Sequence, residues 1–287
     1  KYFINYNTLR HKRIGGNNLH FCVFYQQWDS IARLENTPLS PEEPLLMICN
    51  AANREAVFSW LHQWVLTFPR VRIEDVTLET TMIAAQGPGS EQILKEFLPN
   101  SVTSLRGFSL TEVDNAKGKS PILASRTGYT GEDGFELIVA KEDGTSLWGQ
   151  LQEGGGVPCG LGARDLLRLE AGLSLHGTDI DATTTPLESG LERFVTLAGK
   201  SPFIGHDFLV QQRVTGLQRR LVGFTLLGRG IPRHGYGLLA RGKPAGTVTS
   251  GGYSPMLDTG IGMGYVAEEY SNLGSLLELD LRGRLVP

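Results

Sequence analysis

Long apolar runs are missing from this 287-residue chain, and so is an excess of charge of either sign. Its longest apolar stretches, such as Leu45 to Ile48, fall far short of the roughly 20 residues a membrane-spanning helix needs, so no transmembrane segment is expected. Basic and acidic residues nearly balance, 27 against 30, and are interspersed, which excludes the basic stripe of a general nucleic-acid binder. Cysteine is scarce. Cys22, Cys49 and Cys159 are odd in number, far apart and outside any CxxC pair, so neither a disulfide framework nor a zinc ribbon is expected. A reducing compartment fits best. The N-terminal KYFINYNTLRHKR has basic residues but no apolar core ahead of a small-residue cleavage site, so no signal peptide is expected. Sequence repeats and low-complexity tracts are absent too. Small molecules or proteins are the partners left, in the cytoplasm or, for a eukaryotic chain, the mitochondrial matrix.

What is there is a globular composition, 40% hydrophobic, long enough for about two domains on length alone. The segment TPLSPEEP, residues 37–44, concentrates proline and glutamate and reads as an exposed loop. After it, LLMICNAA reads as a buried strand running into a helix from Asn53 to about Phe68, with Asn53 as N-cap and Glu55 in the first turn. Ala56, Val57, Trp60, Leu61 and Trp64 share one face of that helix and are expected in the core. Thr80 to Ala85 reads as a strand, and QGPGSEQILKEFL as a turn feeding a helix from about Ser90. Alternating strands and helices with antiparallel hairpins make the fold class α+β. Beyond Gly216 the texture changes to short β-rich runs, Arg220 to Leu226, Gly246 to Ser250 and Gly262 to Val266, which predict a small all-β barrel-like domain.

Two motifs carry the functional signal. Arg126 to Leu137 reads RTGYTGEDGFEL between the apolar runs Ile122 to Ser125 and Phe135 to Ala140, a β-hairpin whose Gly-rich turn bears an arginine, a tyrosine and three carboxylates. Downstream, GLGARDLLRLEAGL, Gly160 to Leu173, reads as a buried helix with Leu166, Leu167, Leu169 and Leu173 near helical spacing. Arg164 and Arg168 then share one face, four residues apart.

These motifs resemble the folate-dependent T-protein family of the glycine cleavage system, the aminomethyltransferases. The resemblance continues through CNAANRE (Cys49 to Glu55), AAQGP (Ala84 to Pro88), HGTDID with TTPLESGL (His176 to Asp181, Thr184 to Leu191), FIG (Phe203 to Gly205) and AGTVTSGGYSP (Ala245 to Pro255). It covers roughly residues 45 to 270 in the family's order and does not extend into residues 1–44. It implies a three-domain folate-binding fold: residues 1–45 with 120–210 as an interrupted α+β domain, 46–119 as an inserted α+β domain, and 211–287 as the β-barrel domain. The implied activity is transfer of the methylene unit of aminomethyl-lipoyl H-protein to tetrahydrofolate with release of ammonia. Tetrahydrofolate would be the acceptor and the lipoylated H-protein the partner, with no metal needed.

A pterin offers paired donors that suit a carboxylate, and folate's anionic tail and carbonyls suit a planar guanidinium. Glu136 and Arg164 fall on family positions that contact substrate. Tyr129 is placed to supply a ring wall, and Arg126 and Asn50 complete the candidate folate-binding set. The family's acid–base carboxylate is the second Asp of a GGxxDD motif. Here the corresponding place reads Gly15-Gly16-Asn17-Asn18-Leu19-His20, so Asp29, the only Asp before Asp75, becomes the candidate catalytic residue, with His20 behind it. Asp179, Asp181 and Glu188 lack a His pair at ligand spacing and are not expected to hold a metal. His176 reads as structural. Arg213, Arg219 and Arg220 form a basic cluster of the kind that steers an acidic carrier protein. Two alternatives stay open: a non-catalytic folate binder that has lost the Asp, and a related folate-dependent demethylase. A third relative, the folate-binding family that assists iron–sulfur cluster assembly, carries a KGCYxGQ cysteine, whereas residues 200–206 read KSPFIGH.

Overall fold

In a computed structural model of the chain, residues 9–10, 18–23, 45–67, 72–198 and 203–287 are described. The chain divides at Gly160/Leu161 into two compact units.

The first unit holds two sheets. Strands β1 (Leu9–Arg10), β2 (Asn18–Val23), β3 (Leu45–Cys49) and β4 (Arg72–Asp75) lie in the order β1-β3-β2-β4, antiparallel between β1 and β3 and parallel elsewhere. Helix α1 (Arg54–Val65) carries the chain from β3 back to β4, a crossover that lets both strands run parallel to β2 between them. The second sheet, order β5-β8-β7-β6, is antiparallel throughout and contains β5 (Thr80–Gln86), β6 (Leu110–Val113), β7 (Ile122–Ser125) and β8 (Gly134–Ala140). Between and after these strands run α2 (Ser90–Lys95), α3 (Asn100–Thr103) and α4 (Gly144–Glu153).

Strand β8 is buried on both faces, and its side chains alternate between two cores. Phe135, Leu137 and Val139 enter one with Leu94, Leu98, Val102, Ile122, Leu147 and Leu151. Ile138 points the other way, onto Leu46 and Ile48 of β3. Glu136, two residues from Ile138, therefore belongs to the second face.

Helix α1 corrects one expectation. It packs through Val57, Phe58 and Leu61 around Cys49, Met47 and Ile73. That stripe lies one position round the helix from Trp60 and Trp64, which are 45% and 42% exposed and contact each other edge to face at 6.0 Å. The tryptophans are surface residues.

In the second unit α5 (Leu161–Glu170) and α6 (His206–Thr215) precede six antiparallel strands: β9 (Arg219–Thr225), β10 (Gly237–Ala240), β11 (Lys243–Ser254), β12 (Thr259–Ala267), β13 (Glu278–Leu281) and β14 (Arg284–Val286). Their order is β14-β13-β10-β11-β12-β9. Register shifts between Leu238 and Leu239 and between Val248 and Ser250 bend the sheet around a core of Leu226, Leu238, Val248, Val266, Leu279 and Val286. Leu166 and Leu169 of α5 pack on Ile261, Met263 and Leu221, while Leu167, expected inside, is 37% exposed.

Strands β5 and β6, from the span 46–119, hydrogen-bond to β8 and β7, from the span 120–210, so both spans share one sheet. Likewise α5 groups with the C-terminal strands it packs on. Among the described residues no helix is long and apolar enough to cross a membrane.

Candidate folate-binding site

The hairpin register builds the site. Ser125 on β7 lies directly opposite Glu136 on β8, so their side chains leave the same face of the sheet. Continuing the alternation beyond the strand puts Thr127 on that face as well. All three are buried: Ser125 is 2% exposed, Thr127 4% and Glu136 2%. A buried carboxylate needs hydrogen-bond partners. Glu136 Oε2 accepts from the Thr127 hydroxyl, and the Thr127 and Ser125 oxygens stand 2.7 Å apart. Thr127 has one proton and commits it to the carboxylate, so with Glu136 ionised Ser125 is the donor to Thr127. On the other flank of β8, Ala84 is the cross-strand neighbour of Glu136 and is exposed, so the sheet face beside the carboxylate opens over nothing larger than a methyl group.

The Gly-rich turn is stapled by Gln86, the last residue of β5. Its Nε2 donates to the carbonyls of Thr127 at 3.0 Å and Phe135 at 3.2 Å, and its Oε1 accepts from Thr130 at 3.4 Å. Two glycines make this possible. A Cβ on Gly128 would stand 1.8 Å from Gln86 Oε1, and one on Gly134 would stand 2.6 Å from its Cδ.

Arg126, between Ser125 and Thr127 in the chain, takes the opposite face. Its Nε and Nη2 fork onto Asp133 at 2.9 and 2.5 Å, Nη1 donates to the carbonyls of Thr103 and Leu105, and Nη2 also reaches Glu91 at 3.1 Å. Five donors meet five acceptors, and the guanidinium lies 5.1 Å from the centre of the Phe135 ring. Its role is to brace the hairpin. Donation from Arg126 holds the Asp133 carboxyl below its ordinary range, and Asp133 in turn holds the guanidinium pKa up.

Asn50 follows β3 directly and is 3% exposed. Its Oδ1 accepts from the Ala52 N–H at 2.9 Å, so Asn50, rather than Asn53, supplies the side-chain cap for the helical entry. Tyr129 is half-buried in the turn, and Arg164 is half-buried on α5 in the second unit. Asp29 lies outside the described residues, and for His20 only the backbone, in β2, is described.

Arg168, which shares a helix face with Arg164 and carried no expected site role, serves the protein's own interior. This arginine is 1% exposed and donates to Asp179 at 2.6 Å, Asp165 at 2.8 Å, Ser250 at 2.8 Å and the Leu173 carbonyl at 3.1 Å. Asp179 accepts further from Leu175 N–H and the Thr249 hydroxyl, and Tyr265 donates to its carbonyl at 3.0 Å. Burial pushes the Tyr265 phenol up to about 12. Asp165 is thus the partner of Arg168 and Asp179 the anchor of α5 on β11. Among the described residues no group of three or more His, Cys, Asp or Glu is placed to hold a metal.

Two arginines of the basic cluster are paired, while Arg213 is exposed on α6. Arg220 pairs with Glu268 and Glu192, and Arg219 pairs with Glu188 while lying over the Tyr265 ring at 4.6 Å. A cavity of about 750 Å³ opens in the second unit beside Val222, Phe224, Leu238 and Leu279, and none of the expected folate contacts lines it.

A Gly-rich antiparallel hairpin with a buried, hydroxyl-held carboxylate, followed by a compact strand domain, makes this an α+β protein with a C-terminal β domain. Residues 39–199 match the family model described as the GCVT N-terminal domain, and residues 219–287 match the glycine cleavage T-protein C-terminal barrel domain. The chain belongs to the glycine cleavage T-protein family. It is 45% identical over 248 residues to the aminomethyltransferase of Geobacillus thermodenitrificans (strain NG80-2), an alignment covering 85% of this chain and 67% of that protein. To the aminomethyltransferase of Nostoc sp. (strain PCC 7120 / SAG 25.82 / UTEX 2576) it is 43% identical over 273 residues, covering 95% and 69%. The crystal structure of glycine cleavage system aminomethyltransferase T from Bartonella henselae superposes with a TM-score of 0.75 at 28% identity, covering 98% of this chain and 74% of that one. The chain spans about two thirds of the length of the curated relatives it matches.

Proposed function

We propose that this protein transfers the methylene unit of an aminomethyl-lipoyl H-protein to tetrahydrofolate, releasing ammonia. The observation that carries the reading is Glu136, a buried carboxylate presented beside the open face at Ala84 on the hairpin that bears the family motif. A carboxylate so held suits the paired donors of a pterin, and it is worth more there than in water because the surroundings are poorly solvating. Arg164 is the candidate partner for folate's carbonyls or anionic tail, and Tyr129 the candidate ring wall. Asp29 is the candidate acid–base group for the transfer. Family membership supports tetrahydrofolate as the acceptor and H-protein as the donor's carrier.

The test is a tetrahydrofolate titration beside an ammonia-release assay with aminomethylated H-protein. Binding and turnover are expected together. Binding without turnover overturns the transferase reading in favour of a folate binder, the alternative raised by GGNNLH at residues 15–20. Asp29→Asn is expected to abolish ammonia release while leaving tetrahydrofolate binding intact, and retained turnover removes Asp29 from the mechanism.

A further inference from the structure

A carboxylate that recognises a heterocycle must be aimed as well as charged. A free Glu side chain has several rotamers and a freely turning carboxyl group, and ordering them costs binding energy unless the protein has already done so. In this hairpin the ordering device is a chain of two hydroxyls. Ser125 stands opposite Glu136 in the ladder, Thr127 follows two residues on, and the Thr127 hydroxyl donates to Glu136 Oε2 with the Ser125 oxygen 2.7 Å behind it. Each donor in such a chain polarises the next. Thr127 itself is held from behind, because Gln86 grips its carbonyl at 3.0 Å through the space that Gly128 leaves.

We propose that Thr127 is a positioning residue for folate recognition: its hydroxyl, backed by Ser125, sets the direction of the Glu136 carboxylate toward the pterin. The proposal rests on Glu136 being the pterin contact. It makes the threonine part of the recognition chemistry without touching the ligand. Threonine suits the task because its β-branched χ1 is stiff, so the hydroxyl points one way.

The experiment measures tetrahydrofolate dissociation constants by calorimetry, and KM and kcat by ammonia release, on the full chain. Thr127→Val keeps the shape and removes the hydroxyl. It is expected to raise the dissociation constant and the KM for tetrahydrofolate about tenfold, the effect of losing one charge-assisted bond, and to leave kcat within about twofold. Thr127→Ser restores the hydroxyl and is expected to recover most of the affinity. In a Glu136→Ala background Thr127→Val should add nothing, because the carboxylate it directs is gone. An undiminished penalty in that background marks a merely structural threonine and overturns the proposal. If Thr127→Val does not fold, Ser125→Ala carries the same test, with an expected loss of about threefold that also vanishes beside Glu136→Ala. A wild-type chain that binds no tetrahydrofolate defeats the functional reading and this proposal together. A wild-type chain that binds, with Thr127→Val binding equally well, defeats the proposal alone.

Discussion

Single side chains in the hairpin show how adjacent residues acquire opposite duties. Ser125 and Thr127 face Glu136, while Arg126 between them faces Asp133, Glu91 and Phe135. An arginine in such a motif invites a ligand role, and its donors also tie the hairpin to its surroundings, through Asp133 in the turn, Glu91 on α2 and the carbonyls of Thr103 and Leu105. The Asp133 carboxyl is held below the ordinary 3.8 chiefly by the Arg126 hydrogen bond, so the folded state favours its ionised form. A depressed carboxyl contributes stability above the unfolded value and loses it as pH falls through the folded one. Asp133→Asn is therefore expected to be less stable than the wild type by a constant margin above about pH 5, a margin that closes as the pH is taken below the carboxylate range. Urea unfolding across pH measures it, and a pH-independent margin contradicts the brace. Gly128 acts through Gln86: Gly128→Ala forces the amide away from the carbonyls it bridges and should cost about 1–3 kcal/mol in denaturant unfolding. Combined with Gln86→Ala the cost should be less than additive, since both changes remove the same bonds.

Among the elements, the hairpin and α5 were the most readable in advance. Alternating apolar residues on either side of a Gly-rich turn specify β7 and β8, and the period of Leu166 and Leu169 specifies α5. The burial of Arg168 was not readable, because helical spacing places it with Arg164 and says nothing of Asp179, Ser250 or Leu173, up to 82 residues away. Removing one partner of a buried pair leaves a charge without compensation. Asp179→Asn is thus expected to destabilise the protein by about 3–5 kcal/mol in urea unfolding, and a loss below about 1 kcal/mol would show that the pair is not the anchor of α5. Helix α1 failed in the other direction. Its aromatic stripe matched a core pattern, but the contact made by Cys49, Met47 and Ile73 is narrow, and Trp60 and Trp64 fall outside it.

For the molecule as a whole, a ligand bound only by the folded state stabilises it by mass action. Tetrahydrofolate at about a hundred times its dissociation constant should add about 2.7 kcal/mol and raise the melting temperature, with the shift largely lost in Glu136→Ala. No shift in the wild type at millimolar tetrahydrofolate would count against the folate site. Fold class, the β-rich C-terminal unit and the hairpin were legible in the chain, because periodicity and glycine placement are local properties that a sequence carries explicitly, whereas Glu136 was a candidate only through the family resemblance of its motif. Which residues hold Glu136, which acceptors Arg126 meets, how β5 and β6 join β7 and β8 in one sheet, and that Arg168 rests on Asp179 were decided only in three dimensions. Each depends on strand register or on partners distant in sequence, and a hydrogen bond between such partners leaves no periodic trace in either segment alone.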